Sequence, residues 1–225
     1  MNTRYLLFFA SLLFFNLACS KKENVICLDN PCEGMSEIEW GGHRYALVEI
    51  GCQCWFAENL RYSVNIPEIT NDTAWSESRT AAWCYYDNDS SNEALYGKIY
   101  NWFALSEFRV CPPGFIIPTY VDSEELMDYL GGQYLAGGKM KAVDYWNAPN
   151  DGATNASGFN AYPAGSRSVM GFHRIGNYTA FWNNEETGLG LMRAFAFGLE
   201  YRHEYFEISH SHKSTGYSCR CLKNR

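Results

Sequence analysis

Nine cysteines in 225 residues (Cys19, Cys27, Cys32, Cys52, Cys54, Cys84, Cys111, Cys219 and Cys221) constrain this chain more than any other feature. A cytosolic protein keeps such thiols reduced and an exported one joins them, so what they build depends on the compartment. The first residues address that. Met1 to Arg4 carry one basic charge, an apolar run follows from Tyr5 to Leu17, and Ala18-Cys19 closes it. The run is shorter than the ~20 apolar residues a helix needs to cross a hydrocarbon core, and it has the layout of a cleavable signal. Residues 1–18 are therefore expected to direct export and to take no part in the fold.

The small residue before Cys19 and the polar Ser20-Lys21-Lys22 after it resemble the lipobox of bacterial lipoproteins, where the cysteine is diacylated and becomes the mature N-terminus. The resemblance implies lipidation of Cys19 and a place in the cell envelope, at the outer membrane or cell surface, because two acyl chains hold a protein stably where one does not. Setting Cys19 aside leaves an even number of cysteines, which suits four bridges and no stray thiol. Spacing alone does not pair them. Cys27 and Cys32 flank Asp29-Asn30-Pro31, a turn-forming stretch that would bring them together as a local staple. Cys52-x-Cys54 and Cys219-x-Cys221 also read as four thiolates for zinc or copper, since residues two apart on a strand share a face. Thiolates survive poorly in an oxidising compartment, so bridges are the expectation.

The formal net charge of −7, with no basic cluster, excludes nucleic acid as a partner, because neutralising phosphates takes clustered Lys and Arg. Aromatics are abundant and long amphipathic stretches are few, which points to short strands and ordered loops with large rings inside. Residues 19–37 read as a tether and residues 38–225 as one domain. The alternation through Tyr45-Ala46-Leu47-Val48-Glu49-Ile50 predicts a buried strand. Leu95, Ile99, Trp102 and Phe103 fall at helical spacing and predict a helix from about Leu95 to Ser106. A second helix is capped by Thr119 or Asp122, turns Leu126 and Leu130 inward and stops at Gly131-Gly132. Residues 147–168 read as a long ordered loop, and the segments around Phe181-Trp182, Phe195-Ala196-Phe197 and Phe206-Glu207-Ile208 as strands.

Several segments together resemble the Fibrobacter succinogenes major paralogous domain. They are Trp55-Phe56-Ala57-Glu58-Asn59-Leu60, Tyr96-Gly97-Lys98-Ile99-Tyr100-Asn101-Trp102, Cys111-Pro112-Pro113-Gly114-Phe115, Gly137-Gly138-Lys139-Met140-Lys141, Gly152-Ala153-Thr154-Asn155-Ala156-Ser157-Gly158-Phe159 and Gly216-Tyr217-Ser218-Cys219-Arg220-Cys221. The resemblance implies an α+β domain of C-type-lectin-like fold, akin to the formylglycine-generating enzyme group, with two helices, a small twisted antiparallel sheet and long loops. It also implies a Cys111–Cys221 bridge, and the departures at Cys54 and Cys219 suggest that Cys52, Cys54, Cys84 and Cys219 make two more. It carries a fold and an address rather than an activity.

Trp146, Asn147, Asn150, Asp151 and Asn155 form the densest group of planar polar side chains beside aromatics, the kind of surface a sugar uses, although such amides also bond their own loop backbone. His210-x-His212 could chelate a transition metal but reads more simply as a solvated hairpin. Asp87-Asn88-Asp89 offers oxygen ligands without the glycine and closing glutamate of an EF-hand, so an acidic turn is expected, with calcium the one cofactor left open. No catalytic motif is self-sufficient. The expected function is non-catalytic recognition by a lipid-anchored envelope protein, its partners being the membrane through the anchor and an extracellular glycan or surface protein. The alternatives are an enzyme related to the formylglycine-generating group, which requires an activated cysteine beside a pocket, and a structural envelope component without a small ligand.

Overall fold

The structure, a computed structural model, describes residues 30–188, 190 and 192–225. The signal segment, Cys19 and Cys27 lie outside the described residues. The architecture is mixed α+β, with several antiparallel sheets, short helices and disulfides.

Strand β1 (Glu37–Trp40) turns through Gly41-Gly42 into β2 (His43–Ile50) with Trp40 opposite His43. Both glycines have positive φ, as a two-residue hairpin turn demands. β2 returns as β3 (Gln53–Phe56), which is buried throughout. β3 pairs not with the next strand in sequence but with the C-terminal β12 (Leu222–Lys223), which also pairs with β6 (Phe115–Ile116), giving the order β1-β2-β3-β12-β6. The expected strand over Tyr45–Ile50 is present but half-buried, with Tyr45 and Ile50 inside.

The expected helix from Leu95 to Ser106 is instead three elements: α2 (Glu93–Tyr96), strand β5 (Ile99–Tyr100) and α3 (Trp102–Glu107). Gly97, at φ 68°, ends the first, and the Asn101 side chain caps the last by accepting from the Ala104 N–H. Between them the chain is claimed by β4 (Trp83–Cys84), with Trp83 opposite Tyr100. A pairing between segments distant in sequence has overridden a local helical pattern. Where cues were local they held: Thr119 and Asp122 form a capping box on α4 (Tyr120–Tyr129), Leu126 and Leu130 are buried, and Gly131 and Gly132 have positive φ. The further helices α1 (Asp72–Glu77) and α5 (Ala136–Met140) take the described α-helices beyond the two expected.

The loop expected over residues 147–168 carries no regular element as far as residue 165, but its last three residues form β7 (Ser166–Ser168), claimed by pairing with β8 (Gly171–His173). The chain then forms the meander β9 (Tyr178–Glu186), β10 (Arg193–Glu200) and β11 (Glu207–His212), in the order β11-β10-β9. The C-terminal segment threads the molecule, pairing at Gly216 with Arg167, at Tyr217 with Tyr100, at Ser218 with Phe181 and at Leu222 with Trp55.

Two large apolar clusters flank that thread. One holds Tyr45, Phe56, Trp182, Tyr217 and the Cys111–Cys221 bridge. The other is an aromatic pile in which Phe197 stacks on Phe181 at 5.0 Å and on Phe206 at 4.9 Å, with Phe159 edge-on to Phe181. A smaller cluster gathers Trp75, Cys84, Tyr86 and Ile99.

The cysteines correct the sequence reading in two places. Cys32 is bridged to Cys54, not Cys27. The turn at Asn30–Glu33 does form, but the Cys32 N–H also donates to the Glu49 carboxylate, and Glu49 is the cross-strand neighbour of Cys54, so the thiol is delivered to β3. Cys84 and Cys219 are free and buried, sitting in separate apolar clusters, so the arithmetic of four bridges without a stray thiol does not hold. Cys52 is disulfide-bonded.

Candidate functional site

The side chains that organise this loop-rich domain are three cations with essentially no exposed surface. Arg220, between Cys219 and Cys221, donates from Nε to Asn59 Oδ1 at 2.9 Å, from Nη1 to the Phe56 and Phe159 carbonyls, and from Nη2 to the Asn160 carbonyl at 2.8 Å. Its guanidinium lies 4.2 Å from the Phe159 ring centroid. Arg167 donates to the Ile69 and Thr70 carbonyls and to the Asp72 carboxylate at 2.6–2.7 Å, and is flanked by the rings of Trp75 and Phe172. Lys141 donates from Nζ to the carbonyls of Asp151, Glu200 and His203 at 2.8, 3.0 and 3.1 Å. Burial lowers its pKa to about 8, against the raising influence of Asp151, Glu204 and Glu200. Six of these carbonyls, those of Ile69, Thr70, Asp151, Phe159, Asn160 and His203, lie outside the described strands and helices, where an orphaned buried carbonyl is costly.

Asn59, held by Arg220 from behind, lies in the floor of a cleft of about 250 Å³. Asn59 Nδ2 donates to the Tyr96 carbonyl at 2.9 Å and to Ser218 Oγ at 3.2 Å, fixing three separated segments to one another. Gly97 is required here: a Cβ would stand 2.7 Å from Asn59 Cβ and 2.9 Å from the Leu60 carbonyl oxygen. The walls carry Glu58, Arg61, Glu93, Leu95, Asn160 and Tyr162. Glu58 pairs with Arg61 at 2.9 Å, and Glu93 with Lys98 at 3.2 Å, Lys98 Nζ also lying 4.2 Å from the Trp83 ring centroid. Tyr162 packs edge-on against Tyr145 at 5.5 Å, and Tyr145 is 60% exposed with φ 72°. Burial raises the Tyr96 phenol pKa, with a further push from Tyr145. Burial and then the Arg61 charge lower the His43 pKa. Chemically this is a polar, charge-balanced depression with phenol rings beside it.

The residues singled out in the sequence go elsewhere. Trp146 is buried, its Nε1–H donating to the Ala161 carbonyl. Asn147 Nδ2 donates to Asn177 Oδ1, and Asn150 Nδ2 to the carbonyls of Ala142 and Val143. The Asp151 N–H donates to the Tyr201 carbonyl. Asn155 exchanges hydrogen bonds with Asn160, so it supports a residue of the cleft without lining it. These amides hold their own loop, several of them at positive φ, which asparagine tolerates better than most residues.

Asp89 Oδ1 accepts from the Ser91 N–H at 2.8 Å, which holds its carboxyl below the usual range, and Asp87 sits at φ 53° in the same tight turn. On β11, His210 contacts Arg193 and His212 contacts Ser214. Among the described residues no three His, Cys, Asp or Glu side chains are placed to hold a metal ion. The two free thiols are the opposite of activated. Burial raises the Cys84 pKa to about 12 and that of Cys219 further, and neither residue lines the cleft.

The profile of the Fibrobacter succinogenes major domain matches residues 48–223, and the chain belongs to that family. The match takes in β3, the cleft, all three cation hubs and the Cys111–Cys221 bridge, and leaves β1 outside it. No curated protein and no solved structure matched the chain. No described helix is long and apolar enough to cross a membrane.

Proposed function

We propose that this chain is an exported lipoprotein, anchored through Cys19, whose domain is a C-type-lectin-like recognition module that binds a hydroxyl-rich extracellular ligand in the Glu58–Tyr162 cleft without transforming it. The observation that carries the reading is the convergence of family segments on one depression: Glu58-Asn59 and Gly97 line it, and Asn160 follows directly on the segment that ends at Phe159. The charges there are already matched, Glu58 with Arg61 and Glu93 with Lys98, so a charged ligand would have to break an ion pair to bind. A neutral polyol does not: carboxylate, guanidinium and amide groups hydrogen-bond vicinal hydroxyls while Tyr162 and Tyr145 offer ring faces. The enzyme alternative needs an activated thiol, and both free thiols have raised pKa values.

The full chain carrying Cys19→Ser, which removes the anchor, should bind neutral glycans on an array, and Tyr162→Ala or Glu58→Gln should weaken that binding at least tenfold. Titration with calcium tests whether the ion adds to it. An array without signal, with and without calcium, would remove the lectin reading. The anchor is tested separately, by metabolic labelling with a fatty acid that reaches the wild type and not Cys19→Ser.

A further inference from the structure

Away from the cleft, two tyrosines stand on the surface of a protein that buries most of its rings. Tyr134 is 67% and Tyr205 44% exposed; their centroids lie 5.2 Å apart at 78°, with the His203 ring 4.5 Å from that of Tyr205.

The backbone beneath them is held tightly. Lys141, one of the buried hubs, grips the His203 carbonyl. The Phe206 N–H donates to the Gln133 carbonyl at 2.8 Å, tying the two tyrosine-bearing segments together, and the Phe206 ring is stacked into the core. α5 packs directly on the Tyr205 carbonyl, so closely that a Cβ at Gly137 would come within 2.4 Å of it.

We propose that the Tyr134–Tyr205 pair is a second ligand site, an aromatic corner in which a neutral pyranose ring stacks on one phenol face and abuts the other. A preorganised corner loses little conformational entropy on binding. From the fractional exposures, and roughly 200 Å² for each whole ring, the pair presents about 200 Å². A stable protein interface needs about 800 Å² from each partner, so the patch fits one or two sugar rings better than a folded partner. The 200–205 stretch carries Glu200, Arg202 and Glu204, with Glu200 paired to Arg174 at 3.1 Å, so the patch gathers no cluster of cations for an anionic sugar, and the net charge of −7 adds none.

Affinity electrophoresis of the full chain carrying Cys19→Ser, through gels containing a soluble β-glucan, xylan, mannan or galactan, tests this. At least one polysaccharide should retard it. Tyr134→Ala and Tyr205→Ala should each weaken that retardation at least tenfold, with unchanged melting temperature. Tyr134→Phe and Tyr205→Phe should keep it, and so should Met170→Ala, at an exposed apolar residue outside both candidate surfaces. No retardation in any gel overturns the proposal, as does retardation indifferent to both alanine variants or abolished by the phenylalanine ones. Retardation lost only in Tyr162→Ala would assign the binding to the cleft and not to the tyrosine pair.

Discussion

Replacing Arg220 with methionine keeps most of the aliphatic volume and removes five N–H donors from a site with no exposed surface. Four acceptors lose their partner: Asn59 Oδ1 and the carbonyls of Phe56, Phe159 and Asn160. An orphaned buried acceptor costs about 1–3 kcal/mol. Two corrections reduce the sum. The Asn160 carbonyl is only partly buried and can be rehydrated, and the variant no longer has to desolvate a guanidinium, a penalty of several kcal/mol. Because the acceptors are neutral, no opposite charge is stranded. The net expectation is a loss of about 3–5 kcal/mol, or a fall in Tm of about 6–20 °C for a domain of this size. Thermal and urea unfolding of the full chain carrying Cys19→Ser, followed by tryptophan fluorescence without reductant, measures it. Arg44→Met is the internal control: its pair with Glu37 is exposed on both sides, so it should move stability by less than about 1 kcal/mol. A loss below about 1 kcal/mol in Arg220→Met would refute the idea that this cation organises the core.

Three further outcomes are expected. Removing the Cys111–Cys221 bridge, which closes a loop of 110 residues, should cost about 4–5 kcal/mol on the chain-entropy account, read as a lower urea midpoint in Cys111→Ala/Cys221→Ala. Cys84 and Cys219 should resist iodoacetamide in the native protein and react once it is unfolded without reductant; peptide mapping that finds either labelled at native pH would contradict their burial. For Lys141 the sign follows from its depressed pKa. Below about pH 8 both states hold the proton; between about 8 and the unfolded value of about 10.4 the unfolded chain binds more protons, so this group's contribution to stability rises with pH. The stability of the wild type relative to Lys141→Met should therefore increase over that window, and a flat or falling difference would show that the ammonium is not desolvated.

How much of this was legible in the residues depended on the range of the interaction. α4 was readable because its cap, its buried leucines and its terminating glycines lie within a few positions of one another. The helix expected over Leu95–Ser106 failed because Gly97 and the pairing of Trp83 with Tyr100 decide that stretch from outside it. The Cys27–Cys32 staple failed in the same way: the turn is local and real, but the bridge is set by the register of β2 on β3. Six segments marked the family, and two of them line the cleft through Glu58-Asn59 and Gly97, yet Arg61, Glu93, Asn160 and Tyr162 lie outside those segments and are brought there only by the fold.

The least legible feature was the role of the cations. Arg220 lies between two buried cysteines and Lys141 closes a glycine-rich segment, positions where a charge looks incidental in a list of residues. In the fold each replaces a strand or helix as the partner of loop carbonyls. This links stability to recognition. Arg220 holds the Phe159 and Asn160 carbonyls beside the cleft, and Lys141 holds the His203 carbonyl beneath the tyrosine pair, so each candidate surface rests on a hub. Irregular backbone normally loses entropy when a ligand orders it. Here the ordering is done on folding, by charge-assisted bonds that cannot relax without orphaning several buried carbonyls at once. It follows that conservative changes at the hubs, such as Arg220→Lys, should weaken binding at the overlying surface before they unfold the domain. An Arg220→Lys variant that lost stability while keeping full cleft affinity would separate the two roles and sink that link.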